Sequence, residues 1–323
     1  MKALFVGLGY IGLPTATLVA NNGLDVIGVD LNSELVNNIN SGKFQTSEHK
    51  LQDMIQRVVK NGSLKAQTEP EEADVFFIVV PTPIKDNREP DVSIVEAAIK
   101  SIIPYLKKDN LIIIESTISQ STTEQMAELV FESRPELKDL LHIAYCPERV
   151  LPGNILFELE NNDRVVGGID SNSSEMAKSF YSKFVRGKIY KTDSKTAELC
   201  KLTENAYRDV QIAFANELSV IAHDSGVDVL ELISLANKHP RVNILNPGCG
   251  VGGHCIAVDP WFLIHDFPEN TKLIGQARKV NIEKTEWCLQ RIYEQIRIFI
   301  ETHKRSPTIS CMGLAYKPDS DDM

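Results

Sequence analysis

Short runs of aliphatic and β-branched residues alternate with longer amphipathic stretches from Met1 to about Tyr190, the apolar runs falling at residues 3–6, 26–29, 75–80, 111–114 and 165–166. Strands that alternate with helices predict an α/β fold, a doubly wound parallel sheet covered on both faces. The texture changes after Asp193. Residues 195–225 contain no Gly or Pro, and their apolar positions recur at helical spacing until Gly226. This predicts one long helix opening an all-helical central domain. A second helical stretch at 229–238 ends at His239-Pro240, a Gly- and Pro-rich loop runs from 241 to 260, and 271–303 is again helical in pattern. Residues 308–314 (TISCMGL) repeat the texture of the first strand and predict the start of another α/β unit. The expected domains are therefore 1–193, 194–305 and a beginning at 306–323.

Length agrees with this division, since 323 residues at about 100 to 200 per domain give two domains and a fraction. Lys and Arg number 34 against 44 Asp and Glu, a net charge of −10 with no basic run, which argues against a nucleic-acid partner. Six cysteines without a CxxC pair suit reduced thiols and a cytoplasmic setting better than a disulfide framework. The apolar start MKALFVGLGYIGLP is interrupted by glycines, so neither a signal peptide nor a membrane span is expected.

Gly7, Gly9 and Gly12 form GxGxxG between the first expected strand and an apolar helical run. In that context the first glycine permits a tight turn, the second lets the backbone approach a pyrophosphate, and the third allows close helix packing. Asp30 closes the second strand, where a carboxylate accepts hydrogen bonds from an adenosine ribose and repels a 2′-phosphate. The pattern predicts a Rossmann-like domain that binds NAD in preference to NADP; the competing reading is a structural turn followed by a solvated Asp.

Two further features carry candidate chemistry. NPGCGVGGHCIAVDP (246–260) sets Cys255 after four glycines and four residues before Asp259, which suits an exposed thiol nucleophile. A small buried thiol is the competing reading. A zinc site from Cys249, His254, Cys255 and His239 lacks the paired ligand spacings such sites use. Lys201, Asn205 and Arg208 lie four and three residues apart on one face of the long helix. They fit either the wet face of an amphipathic helix or a set of proton-transfer, amide-donor and anion-binding groups.

Together with VPTP (80–83), EST (115–117), CPERVLPG (146–153), KLTENAYRDV (201–210), HPRVNI (239–244) and GLAYKP (313–318), these motifs resemble the UDP-glucose/GDP-mannose dehydrogenase family through the whole chain, in order. The resemblance implies a homodimeric four-electron enzyme that uses NAD to oxidise the 6-hydroxymethyl group of a sugar nucleotide to a carboxylate. It implies Cys255 as nucleophile, Lys201 as proton donor and acceptor, Asn205 as a donor to oxyanion-like adducts, Asp259 as partner of Lys201 or water, and Glu148 in hydrolysis. Thr117 falls between cofactor and substrate. Gly7, Gly9, Tyr10, Ile11, Gly12, Asp30, Thr82 and Thr123 fall at NAD positions. Arg149, Val150, Lys201, Asn205, Arg208, His239, Arg241, Gly252, Tyr316 and Lys317 fall at substrate positions, Arg241 toward a neighbouring subunit. CPERVLPG and GGHCIAVDPWF resemble the branch acting on UDP-linked 2-acetamido sugars, N-acetylmannosamine first and its gluco and galacto epimers as alternatives. A two-electron dehydrogenase of the 6-phosphogluconate or 3-hydroxyacid kind, or an inactive NAD-binding remnant, competes with this reading.

Three departures stand out. Ser119 and Ser121 replace the Pro and Gly usual after EST, Cys249 replaces a proline, and the sequence ends at Met323 where family members continue into a UDP-binding domain. Remote binding energy positions a reacting group. The 323-residue chain is therefore expected to bind NAD yet release little NADH at low UDP-sugar concentration; robust release there counts against this expectation.

Overall fold

The computed structural model of the chain describes residues 1–313 apart from 45, 47, 151 and 152. It divides into two compact units, Met1–Lys201 and a second that begins at Leu202. In the first the order is β1 (Lys2–Val6), α1 (Gly12–Asn21), β2 (Asp25–Val29), α2 (Ser33–Asn40), α3 (His49–Lys60), β3 (Leu64–Gln67), β4 (Val75–Ile78), α4 (Ser93–Ile102), β5 (Leu111–Ile114), α5 (Thr122–Ser133), β6 (His142–Tyr145), α6 (Ile155–Asn161), β7 (Arg164–Gly168), α7 (Ser171–Tyr181) and β8 (Ile189–Asp193). The long helix α8 (Ser194–Asp224) runs through the boundary, and α9 (Val229–Ala236), α10 (Asp259–Asp266) and α11 (Lys272–His303) complete the second unit.

The eight strands form one sheet in the order β3-β2-β1-β4-β5-β6-β7-β8. Its strands are buried on both faces, so alternate residues feed two separate cores. Leu4, Ile27, Phe76, Ile112 and Ile143 enter one, and Ala3, Phe5, Val26, Phe77 and Ile113 the other. Phe5 and Phe77 are register partners on β1 and β4, and their rings stack at 4.2 Å between centroids. Such a pair fixes the register at the centre of the sheet, because a slip of one residue would exchange the two cores.

The sheet departs from the sequence expectation first in the direction of one strand. β6 and β7 are antiparallel, whereas every other neighbouring pair is parallel. A parallel neighbour needs a full crossover. Much of the chain after β6 is spent on the CPERVLPG segment, and the seven-residue α6 brings the rest back in the opposite direction. The strands that hydrophobic pattern did not single out include β3 (LKAQ) and β8 (IYKTD), which lie at the two sheet edges and keep exposed polar positions. The strand expected at 308–314 does not form over its described part. Thr308–Gly313 is irregular and exposed, and no strand among the described residues pairs with it.

Glu198, fully buried on α8, ties that helix to the start of α5. Its carboxylate accepts from the N–H of Ser121 at 2.6 Å, the N–H of Thr123 at 2.8 Å and the Thr123 hydroxyl at 2.6 Å. An anion at a helix N-terminus satisfies donors that have no partner within the helix. Ser121 itself holds φ +68° and makes no side-chain cap. A left-handed conformation strains any residue with a Cβ, and the Ser121 hydroxyl does nothing to offset it. Ser121→Gly is therefore expected to stabilise the chain by about 0.5–1 kcal/mol, read from the urea unfolding midpoint; a lower midpoint would count against strain at this residue.

Candidate active site

In the first unit the carboxyl ends of β1, β2, β4, β5 and β6 carry the motifs in succession. A Cβ on Gly7 would lie 2.2 Å from the Val79 carbonyl oxygen, and one on Gly12 would lie 2.0 Å from the Gly7 carbonyl oxygen. Neither site admits a side chain. Gly9 has open space around it, so a ligand can reach its backbone. The N-terminus of α1 has no side-chain cap and no acidic residue in its first turn. The Asp30 carboxylate is held at the end of β2 by the N–H groups of Leu8 (3.0 Å) and Asn32 (2.9 Å). Tight glycines, an open glycine, uncapped helix donors and a fixed carboxylate fit a dinucleotide with an unphosphorylated ribose. Tyr10 is exposed and Ile11 and Thr82 half-exposed around this edge, whereas Thr123 is fully buried with its hydroxyl committed to Glu198.

The next two motifs are joined through Ser116. Its hydroxyl accepts from the Val80 N–H at 2.9 Å and donates to the Val80 carbonyl at 2.8 Å, locking EST to VPTP. Thr117, one residue on, is partly exposed, while Glu115 is buried beneath. The Tyr181 hydroxyl donates to Glu115 Oε1 at 2.5 Å, and Arg164 Nη1 stands 3.6 Å from the same oxygen with its guanidinium over the Tyr181 ring. Cys146, at the start of CPERVLPG, accepts from Arg164 at 3.8 Å. Burial pushes the Cys146 thiol up to about 11, so this cysteine is a core residue and not a nucleophile. Arg164 stays charged: burial opposes its charge, but Cys146, Glu148, Tyr181 and Glu115 together outweigh that cost.

Glu148 folds its carboxylate back on its own loop. Oε1 accepts from the N–H groups of Arg149 (2.5 Å) and Val150 (2.6 Å), while the buried Oε2 meets no donor. Lys201 Nζ donates to the Glu148 carbonyl at 2.7 Å. Two residues 53 apart in sequence, each singled out for chemistry, are thus in direct contact. Arg149 extends outward, with a guanidinium N–H on the Asp163 carbonyl at 3.1 Å. Glu48, which no motif flagged, anchors the far end of the loop by accepting from the N–H groups of Gly153 (3.0 Å) and Ile155 (3.1 Å).

The second unit assembles the thiol loop. Asn205 is buried on α8, and its amide donates to Asp259 Oδ2 at 2.6 Å. Asp259 begins α10, and its N–H closes a turn on the Cys255 carbonyl at 2.8 Å, leaving Cys255 as an exposed thiol one turn ahead of the helix. Gly250 (φ +142°) and Gly253 (φ +82°) supply backbone conformations that residues with a Cβ rarely adopt. Arg208 is exposed, as the wet-face reading of the helix has it, and Asn205 is not. His239, Arg241 and Gly252 are also exposed. Asn237 brackets the His239–Arg241 turn by bonding both backbone groups of Ile244, at 3.0 and 2.7 Å. Among the described residues no three metal-ligating side chains cluster, and no helix is long and apolar enough to cross a membrane. Tyr316 and Lys317 lie outside the described residues.

Beneath the loop lies a buried polar relay that motif reading missed. Arg278 donates to Asp209 Oδ1 at 2.6 Å, and Asn281 donates to the same oxygen at 2.8 Å. Asn216 then donates to Asn281 at 2.9 Å and accepts from the Gly248 N–H at 2.8 Å. The available signal was Asp209 and Asn216 at spacings that place them with Ala206 and Ala213 on the buried stripe of α8.

Residues 1–185 match the NAD binding domain of the UDP-glucose/GDP-mannose dehydrogenase family, and residues 195–283 match its central domain. The chain belongs to this family. It is 51% identical over 326 residues to an NDP-N-acetyl-D-galactosaminuronic acid dehydrogenase of Ralstonia nicotianae, covering 98% of this chain and 76% of the relative. It is 50% identical over 331 residues to a UDP-N-acetyl-D-mannosamine dehydrogenase of Campylobacter jejuni, covering 100% of this chain and 80% of that one. The solved UDP-N-acetyl-mannosamine dehydrogenase of Staphylococcus aureus superposes with a TM-score of 0.89 at 43% identity, over 100% of this chain and 76% of that chain. The protein is an NAD-dependent nucleotide-sugar dehydrogenase.

Within this enzyme Glu115 has a distinctive titration. Burial raises its carboxyl from 4.5 to about 7, with Glu148 adding to the rise and Arg164 and the Tyr181 hydroxyl opposing it. The folded chain thus holds a proton in an interval where the unfolded chain has lost it. The stability so contributed is complete below the unfolded value of 4.5 and declines as pH rises through about 7. Glu115→Gln keeps the acceptor for Tyr181 but cannot ionise. Its denaturation midpoint is expected to fall less than that of the unaltered chain between about pH 5 and about pH 7.5; equal slopes would show that Glu115 does not titrate there.

Proposed function

We propose that the chain oxidises the 6-hydroxymethyl group of UDP-N-acetyl-D-mannosamine to the carboxylate in two successive steps. The observation that carries the reading is the exposed Cys255 thiol one turn before Asp259, whose carboxylate engages the buried Asn205 amide. NAD, when bound, accepts the hydride in each oxidation. In this reading Lys201 removes the proton of the sugar hydroxyl. The Cys255 thiolate adds to the resulting aldehyde carbon, forming a C–S bond, and the Asn205 amide stabilises the charge left on oxygen. The second oxidation yields a thioester on Cys255. Water, deprotonated with the help of Glu148 and Asp259, adds to its carbonyl, the C–S bond breaks and the uronate leaves. Gly7, Gly9, Gly12 and Asp30 hold the dinucleotide, and Arg208, His239 and Arg241 supply exposed groups for a sugar nucleotide.

The 2-acetamido substrate class rests on the CPERVLPG and GGHCIAVDPWF signatures and on the names of the R. nicotianae and C. jejuni relatives. The first of these favours the galacto epimer as the second reading. Residues 1–193 are proposed as the NAD domain and 194–305 as the helical domain. A homodimer through α8 is supported by Tyr207, Phe214 and Ile221, which lie seven residues apart and are 64%, 57% and 54% exposed.

At saturating sugar nucleotide the chain is expected to form two NADH per sugar, fastest with UDP-N-acetylmannosamine among the manno, gluco and galacto epimers and UDP-glucose. Cys255→Ser is expected to lower uronate formation by more than about a hundredfold while leaving NAD affinity unchanged. One NADH per sugar, insensitive to that substitution, would replace this reading with a two-electron dehydrogenase.

A further inference from the structure

The loop that leads to Cys255 carries a second thiol for which the reaction has no use. Cys249 is exposed, and Cys288 is half-buried on α11. The backbone holds them together: Thr285 Oγ1, three residues before Cys288 on the same helix, donates to the Cys249 carbonyl at 2.8 Å. A Cβ on the adjoining Gly250 would lie 2.3 Å from that hydroxyl and 3.2 Å from the Asn281 carbonyl, so the loop lies directly against α11. Gly248 is pinned as well, by the Asn216 side chain at 2.8 Å. Across this contact the side chains of Cys249 and Cys288 are near enough for one thiol to bear on the charge of the other. Lys284 stands one turn before Cys288, its Nζ donating to Ser219 at 2.7 Å and lying 4.0 Å from the centre of the Trp287 ring.

We propose that Cys249 and Cys288 form a dithiol–disulfide site, oxidised by hydrogen peroxide, whose closure clamps the Cys255 loop to α11. The exposed Cys249 thiolate attacks peroxide. An S–O bond forms, the O–O bond breaks and hydroxide leaves as water, giving a sulfenic acid. The Cys288 sulfur then attacks that of Cys249, the S–S bond forms, the S–O bond breaks and a second water departs. Two thiols and one peroxide become one disulfide and two waters, two electrons passing from sulfur to oxygen. The environments suit this division of labour. Burial and the neighbouring Cys249 push the Cys288 thiol up, Lys284 pulling against them, so the shielded cysteine reacts second. The consequence falls on Cys255, six residues along the same loop, and a dithiol reductant reverses it.

The test needs no turnover and so is independent of the proposed substrate. The reduced 323-residue chain is treated with one equivalent of hydrogen peroxide, its remaining thiols are alkylated, and the peptides are mapped by mass. Expected are a Cys249–Cys288 cross-linked pair lacking two hydrogens, four titratable thiols instead of six, and a several-fold slower alkylation of Cys255 that dithiothreitol restores. Cys249→Ser is expected to abolish both the cross-link and the slowing. Cys288→Ser is expected to leave Cys249 as a sulfenic acid that a dimedone probe captures. Cross-linking of Cys255 in place of Cys288, Cys249 overoxidised without a link in the unaltered chain, or a link that leaves Cys255 alkylation unchanged would each overturn the proposal.

Discussion

A sheet buried on both faces offers water only the ends of its strands, and that constraint governs the first unit. Leu4 and Phe5 and the equivalent positions of β4 and β5 supply alternating packing to two cores, so no side chain along the central strands is available for polar chemistry. Binding and proton transfer must use the carboxyl ends, where the chain leaves the sheet for a helix. The glycine turn after β1, Asp30 after β2, VPTP after β4, EST after β5 and CPERV after β6 all obey this. Their order along the edge is the strand order, and the Phe5–Phe77 stack at the centre aligns them.

Where charge lies below that edge, the structure surrounds it with compensation. Arg164 lies among Glu115, Cys146, Tyr181 and Glu148, one cation shared by more acceptors than it can neutralise. Desolvation resolves the imbalance by protonating the deepest carboxyl, that of Glu115, near neutrality. The helical unit solves a comparable problem without a sheet. Asp209 is fully buried, and Arg278 and Asn281 both donate to it, because an isolated buried carboxylate would cost several kcal/mol. From Asn281 the relay passes through Asn216 to the Gly248 N–H, so the groups that satisfy the buried charge also hold the loop that presents Cys255.

Much of this was legible in residue order. Short continuous apolar runs marked most of the central strands, the absence of Gly and Pro marked α8, and glycine spacing marked the dinucleotide turn. Those signals are local: a buried strand, a long helix and a turn without room for Cβ each impose their pattern on neighbouring residues. Cys255, Lys201, Asn205, Asp259 and Glu148, the residues proposed for the chemistry, stood out through the short motifs that contain them. Edge strands β3 and β8 were not legible, since half-exposed strands tolerate polar residues, and neither was the reversal of β7.

By itself, therefore, the sequence determined the fold class and the dinucleotide loop, both of which follow from interactions within a few turns of chain. The tertiary structure alone decided which groups meet: Lys201 with the Glu148 carbonyl, Asn205 with Asp259, Glu198 with the start of α5, Arg278 with Asp209 and Thr285 with the Cys249 carbonyl. Those contacts join residues tens of positions apart. Their partners are chosen by burial, where an unpaired polar group is costly, and no local pattern records that cost.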